Sequence, residues 1–248
     1  MEKRPQYSNA PITEAILDIR IAADGLSLAD LAVLTESTDK EYPKKTVIKE
    51  VRAQISGGPD GKDVAATTSQ RETGFVCVAA DGKQVFQARL DGFSFSKLAP
   101  YANWESFREE AQRLWQSYRS AVKLTQVTRL AVRYVNRLDL PLPLHDFADY
   151  LTTVPQVGPG LPQSLAGYFM HLQIPFPEIN AVLLLNEALV PPPRVEVASV
   201  VLDLDLFCPS QISPEEDDNI WNLFEVLHEK KNEIFEACIT DRTRELIK

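Results

Sequence analysis

Between Val200 and Phe207 the chain reads Val-Val-Leu-Asp-Leu-Asp-Leu-Phe, with Leu202, Leu204 and Leu206 on one parity and Asp203 and Asp205 on the other. Alternate side chains of a β-strand point to opposite faces, so this stretch demands a sheet with one apolar and one charged face. A helix is expected next. Ser213 can accept from free backbone N–H groups, Pro214 suits the first helical position, and Glu216 can reach back as a capping-box partner. Ile220, Leu223, Phe224, Leu227, Ile234, Phe235 and Cys238 then recur at three- and four-residue steps, the stripe of an amphipathic helix. Acidic residues (Glu215 to Asp218) precede Lys230 and Lys231, the order that the helix dipole favours. Thr240-Asp241 supplies a second cap for a short helix through Leu246. Lys231 interrupts the stripe near its middle, with His228 on its shoulder. A lysine there either snorkels past the edge of the core, the simpler expectation, or meets a carboxylate, for which Asp203 and Asp205 are the candidates.

A chain of 248 residues can bury a substantial core as one large or two small domains, and 44% hydrophobic with 25% charged residues is the composition of a globular protein. A net charge of −9 argues against a protein devoted to a phosphate backbone, so nucleic acid is not an expected partner. Cys77, Cys208 and Cys238 are odd in number and lack metal-ligand spacing, and no apolar run follows Met1-Glu2-Lys3-Arg4-Pro5. The expected location is the cytoplasm. No apolar stretch approaches the roughly 18 residues of a membrane span, so no membrane partner is expected. His145, His171 and His228 lie far apart, which leaves little material for a zinc site, and neither a metal nor a cofactor is expected. The motifs G-x-S-x-G, H-E-x-x-H and C-x-x-C and the Gly-rich phosphate loop are missing, so no residue is assigned a catalytic role.

In chain order, residues 1–10 form a polar lead-in. The first strand, Ile12 to Ile21, has Ala15, Leu17, Ile19 and Ile21 on one face and Glu14, Asp18 and Arg20 on the other. Ser27 caps a short helix carrying Leu28, Leu31, Ala32 and Leu34. Short runs follow, Val47–Ile55, Val64–Arg71, Phe75–Ala79, Gln84–Leu90 and Phe93–Lys97. They are punctuated by Gly57-Gly58-Pro59-Asp60-Gly61, Asp81-Gly82 and Asp91-Gly92. Asp-Gly signals a hairpin whose two central residues take positive φ, so an antiparallel meander is expected. Asn103 caps a helix with Trp104, Phe107, Ala111, Leu114, Trp115, Tyr118 and Val122 on its stripe, aromatics better placed to fill space against a sheet than to box a ligand. A long strand from Gln126 to Asp139 has Leu130, Val132, Tyr134 and Leu138 on one face and Arg129, Arg133 and Arg137 on the other. Five prolines and two glycines between Pro141 and Pro162 have linker composition. Strands Tyr168–Ile174 and Ala181–Leu189 precede Pro191-Pro192-Pro193.

The fold class expected is α+β, antiparallel sheets (a meander plus long strands) packed by two long amphipathic helices. Its parts are an N-terminal half over residues 1–140, a Pro/Gly-rich connection over 141–165 and a C-terminal half over 166–248, separate or as one body. A coarse echo, strands plus a long helix in each half, reads either as two similar layers or as coincidence.

The candidate site is the charge that interrupts three long strands: Glu14, Asp18 and Arg20; Arg129, Arg133 and Arg137; Asp203 and Asp205. Like charges at alternate positions repel unless opposite charges lie across from them, so the three strands are expected to be neighbours. An ion-pair ladder is the leading reading. The other is a cleft in which arginines hold a phosphate or carboxylate, with His228 and Lys231 as further candidates and His228 a base beside Asp205. Metal ligation by Glu14, Asp18, Asp203 and Asp205 is weaker, because arginines already neutralise those carboxylates.

The chain resembles a sporadically distributed, functionally uncharacterised family of bacterial and archaeal proteins of similar length. The resemblance rests on Asn9-Ala10-Pro11-Ile12 with Glu14-Ala15 and Asp18-Ile19-Arg20, on Arg133-Tyr134-Val135-Asn136-Arg137, and on Leu227-His228, Lys231-Asn232, Phe235-Glu236 and Ile239-Thr240-Asp241. It implies no activity, cofactor or site residue. Its patchy distribution implies an accessory role of the kind found in mobile elements and defence systems. Together these readings lead to the expectation of a non-enzymatic protein that binds another protein or itself; the alternative is a ligand-binding or hydrolytic cleft for a phosphorylated small molecule or nucleotide on the charged sheet face.

Overall fold

The computed structural model describes residues 7–57, 64–213 and 215–248. The first part of the lead-in, most of the Gly57–Gly61 turn and Pro214 lie outside the described residues. Among the described residues nine strands form one antiparallel sheet in the order β2-β3-β4-β5-β1-β6-β9-β8-β7. They are β1 (Ile12–Ala23), β2 (Lys44–Gly57), β3 (Val64–Val78), β4 (Gln84–Arg89), β5 (Gly92–Leu98), β6 (Leu124–Pro141), β7 (Phe169–Phe176), β8 (Ala181–Val190) and β9 (Val197–Ile212). The helices are α1 (Leu28–Ser37), α2 (Trp104–Ala121), α3 (Asp217–Cys238) and α4 (Asp241–Leu246). The chain is thus α+β and antiparallel.

Local chemistry explains most boundaries. Ser27 and Asp30 form a reciprocal capping box at α1, and the Asn103 side chain accepts from the Ser106 N–H at α2. α3 starts later than Ser213 suggests. Glu216 accepts from the Ser213 N–H, Ser213 turns its hydroxyl to Glu215, and the Glu216 N–H donates to the Ser213 carbonyl, so the segment closes a turn of its own. The helix then begins at Asp217 with Glu216 at its cap position and no side-chain cap bond. Thr240 stands at the cap of α4, yet its hydroxyl donates to the Asp149 carbonyl and anchors the preceding loop instead.

The meander differs from its sequence pattern in two ways. Val64–Arg71 and Phe75–Val78 join in one strand, β3, and Gly74 within it lets the backbone of Ala88 approach where a Cβ would sit 2.3 Å from its carbonyl oxygen. Neither Asp81 nor Asp91 has positive φ. Gly82 supplies it within a longer loop, and Gly92 is the first residue of β5, paired to Arg89 across the turn Leu90-Asp91.

One face of the sheet carries the core. Leu17, Ile19, Leu130, Val132, Tyr134, Leu202, Leu204 and Leu206 pack there against Leu31 and Leu34 of α1, Phe107, Leu114, Trp115 and Tyr118 of α2, and Phe224 and Leu227 of α3. Trp104 at the start of α2 donates to Glu225, and Trp115 near its end donates to Asp217, so α2 and α3 run antiparallel. Leu138, Leu140, Tyr150, Leu151, Val200, Ile239 and Ile247 form a smaller core, which ties the 141–165 segment to the chain's end through a bridge between Leu151 and Ile239.

The echo between the halves has a topological form. β5 returns to lie beside β1, β9 returns to lie beside β6, and β1 and β6 pair antiparallel at the centre. Each half then adds its helix, α2 or α3, on the same face.

Candidate functional site

The other face of the central strands holds the charges. β6 lies between β1 and β9, with Arg133 opposite Ile16 on one side and Asp205 on the other. The arginine strand therefore sits between the two acidic ones, and the side chains pair diagonally as well as directly across. Arg133 donates from Nε and Nη2 to the two oxygens of Asp203 (2.8 and 2.7 Å), a bidentate clamp that Asn186 of β8 completes with a further bond of 3.2 Å. These bonds hold the Arg133 guanidinium above its ordinary pKa. Arg129 donates to Asp18 (3.1 Å), lies 3.7 Å from Asp205, and rests its guanidinium 4.5 Å from the centre of the Phe207 ring.

Asp18 is the hub of the N-terminal side. It accepts from Arg20 (3.2 Å), from Arg129 and from Arg89 of β4 (2.7 Å), and Arg20 and Arg89 both also reach Asp91. Glu14 adds its charge to those acting on Arg133. Arg137 faces a separate group, donating to Asp139 (3.0 Å), Ser199 and the Pro191 carbonyl. Asp205 is the least satisfied member: its Oδ1 is buried without a hydrogen bond, and burial raises its pKa against the pull of Arg129 and Arg133.

His228 and Lys231 do not join this face. Lys231 is 5% exposed, which removes snorkelling, and α3 packs on the apolar side of β9, so the sheet separates it from Asp203 and Asp205. Its Nζ lies 3.5 Å from the centre of the Tyr134 ring and donates to Asn232 (2.6 Å). His228 stacks on Trp104 at 4.1 Å, nearly parallel, and its Nε2 meets Asn232. It packs rather than serving as a base beside Asp205.

Both residues line a second feature, an open cleft of about 1140 Å³ between the lead-in at Tyr7–Ile12, the loop before α2 and the later turns of α3. Asn9, Asn136, His228, Lys231, Asn232 and Glu236 meet there. They come from three segments far apart in the sequence, and no spacing within any one of them signals the cleft. Another cleft, of about 630 Å³, lies at the base of the β2–β3 hairpin beside Arg71 and Arg89. Neither is lined by Arg133, Arg137 or Asp205.

Residues that sequence reasoning missed are Arg89, Asp91, Asn186 and Ser199. Arg89 and Asn186 lie on strands without regular charge alternation, Asp91 lies in the turn between β4 and β5, and Ser199 shares β9 with Asp203 and Asp205 but carries no charge. Among the described residues no group of three or more His, Cys, Asp and Glu side chains is arranged to hold a metal ion, and no helix is long and apolar enough to cross a membrane. No family model matches this chain, and no curated protein matches it either.

Proposed function

We propose that the protein is a non-enzymatic binding protein of the cytoplasm, associating with another protein or with a second copy of itself. The observation that carries this reading is the state of the arginine strand. Arg129, Arg133 and Arg137 each already hold a carboxylate of the same chain, so a phosphate would have to displace an intramolecular partner to bind there. The resemblance to a sporadically distributed bacterial and archaeal family adds a setting, that of an accessory protein of mobile elements or defence systems. A pair of long helices covering one face leaves the sheet edges and the charged face for contacts.

A thermal-shift screen against nucleotides, phosphorylated metabolites and divalent metals, with Arg133→Ala alongside, tests this. A ligand that binds only the native state stabilises it by about 2.7 kcal/mol at a hundredfold excess over its Kd. No shift is expected with the wild type, and the variant is expected to melt earlier. A shift abolished in a folded Arg133→Ala protein would make the charged face a ligand site and refute the proposal.

A second reading is favoured by the convergence of Asn9, Asn136, His228 and Asn232 in the cleft beside Trp104, where amides and a flat aromatic wall suit a small polar, planar ligand. In the same screen, a shift retained by Arg133→Ala and lost in Trp104→Leu would support it.

A further inference from the structure

The sheet ends differently on its two sides. β2, one edge, runs for 14 residues and pairs with β3 from Lys44↔Val78 to Gly57↔Val64. β4 accompanies β3 only from Gly74 to Val78. Beyond Lys49 and Glu72, therefore, the two strands continue as a two-stranded ribbon. Lys49, Glu50, Val51 and Arg52 alternate between its faces and all four are exposed, Val51 by 61%. Gln70, Arg71 and Glu72 opposite them are exposed as well. A ribbon whose described side chains are exposed on both faces is marginal in water, and the unpaired N–H and C=O groups of a long edge are a template for another strand.

The edge is self-complementary about Val51. When two copies pair antiparallel with Val51 opposite Val51, Glu50 of each lies opposite Arg52 of the other, Val47 opposite Ile55, Ile48 opposite Gln54 and Lys49 opposite Ala53. No two like charges meet in that span. The Arg52 guanidinium already reaches Glu50 within one chain (3.1 Å), so pairing closes an alternating cluster of four charges. A two-fold dimer requires partners of equal parity, because the axis is perpendicular to the sheet and keeps each face on its own side. The neighbouring allowed registers centre on Glu50 or Arg52 and set that residue against its own copy. Charge therefore disfavours the registers on either side of Val51, and the Val51 register is the one that sets Glu50 directly opposite Arg52.

We infer that the protein forms a two-fold dimer by antiparallel β2–β2 pairing centred on Val51, which joins two nine-stranded sheets edge to edge. The inference rests on the binding-protein reading and names the partner as a second copy of the chain.

Sedimentation equilibrium of the wild type, Glu50→Arg, Arg52→Glu and an equimolar mixture of the two variants tests it. The wild type is expected to be a dimer and each variant a monomer. The mixture is expected to recover the dimer, because the two altered chains are complementary to each other. Val51→Cys, in an otherwise unchanged chain, checks the register independently of those variants: Cα atoms directly across an antiparallel pair lie about 4.5 to 5.5 Å apart, within disulfide range, so mild oxidation is expected to give a covalent dimer. A monomeric wild type, a dimer unaffected by either reversal, a mixture that stays monomeric, or the lack of a Val51→Cys cross-link would each overturn the inference. None of those outcomes touches the binding-protein reading, which the ligand screen with Arg133→Ala decides separately.

Discussion

Asp203 is buried and its charge is matched by a half-exposed arginine, an arrangement in which removing either partner is costlier than removing both. Arg133→Ala leaves the carboxylate with only the Asn186 amide and is expected to lose about 1.5–3 kcal/mol of stability in urea denaturation, the range for charged hydrogen bonds. The double variant Arg133→Ala/Asp203→Ala is expected to lose less than the sum of the singles, and strict additivity would show the pair to be uncoupled. Glu187 of β8 is the other buried carboxyl with a consequence. It is 1% exposed, accepts a hydrogen bond from Tyr168 (2.7 Å), adds its charge to the burial that raises the Cys238 thiol, and burial lifts its own pKa to about 7. The folded state then holds a proton that the unfolded chain has released by about pH 4.5. Its contribution is intact below that value, declines as pH rises towards 7, and is lost above it. Glu187→Gln should abolish this decline and raise the melting temperature at pH 8 relative to the wild type, by up to about 3 kcal/mol in stability terms. Equal pH profiles for the two proteins would refute the assignment.

At the scale of elements, the start of α3 is held from outside. Asp217 accepts from the Trp115 indole (2.9 Å) and from Gln116, and pairs with Arg119 (3.1 Å), so three residues of α2 fix the first turn of α3. Asp217→Ala leaves the fully buried Trp115 without that acceptor and should cost about 1–3 kcal/mol in chemical denaturation, with Asp217→Asn in between. A change below 0.5 kcal/mol would mean the turn holds itself. Gly74→Ala should destabilise by more than about 1 kcal/mol, since its Cβ meets backbone that cannot yield without opening the β3–β4 pair. These elements were legible to different degrees. Caps at Ser27 and Asn103 and the parity of β1, β6 and β9 depend on neighbours in sequence, so the pattern reports them directly. The turn chemistry at Ser213 and the role of Gly74 depend on what lies alongside, and a glycine in a close crossing looks in sequence like a glycine in a break. Lys231 is the same case: its place on the stripe was readable, but the Tyr134 ring that receives it is on another strand.

Over the whole molecule, one sheet and two cores connect segments that the proline-rich stretch separates in sequence. Proteolytic nicking near Gly158–Gly160, where the chain is exposed, should leave both pieces in a single gel-filtration peak, because β6 pairs with β9 and Tyr150 and Leu151 pack with Ile239 across the cut. Separate elution would show that those contacts do not hold without the covalent link. Charge alternation on three strands pointed to their being neighbours, with the arginine strand between or beside the acidic ones, and the pairing places β6 between β1 and β9. Arg89 and Asn186 complete the network from strands whose own pattern gives no such warning. The two ends of the sheet also have different fates. β7, the far edge, spans eight residues and includes Pro175, which has no N–H to donate to an added strand, whereas β2 is nearly twice as long and uninterrupted by proline. A sheet with two adhesive edges would extend copy after copy into a fibre. A dimer joined through β2 has β7 at both of its outer edges, where Pro175 interrupts the row of N–H donors, so pairing through β2 ends with the first encounter.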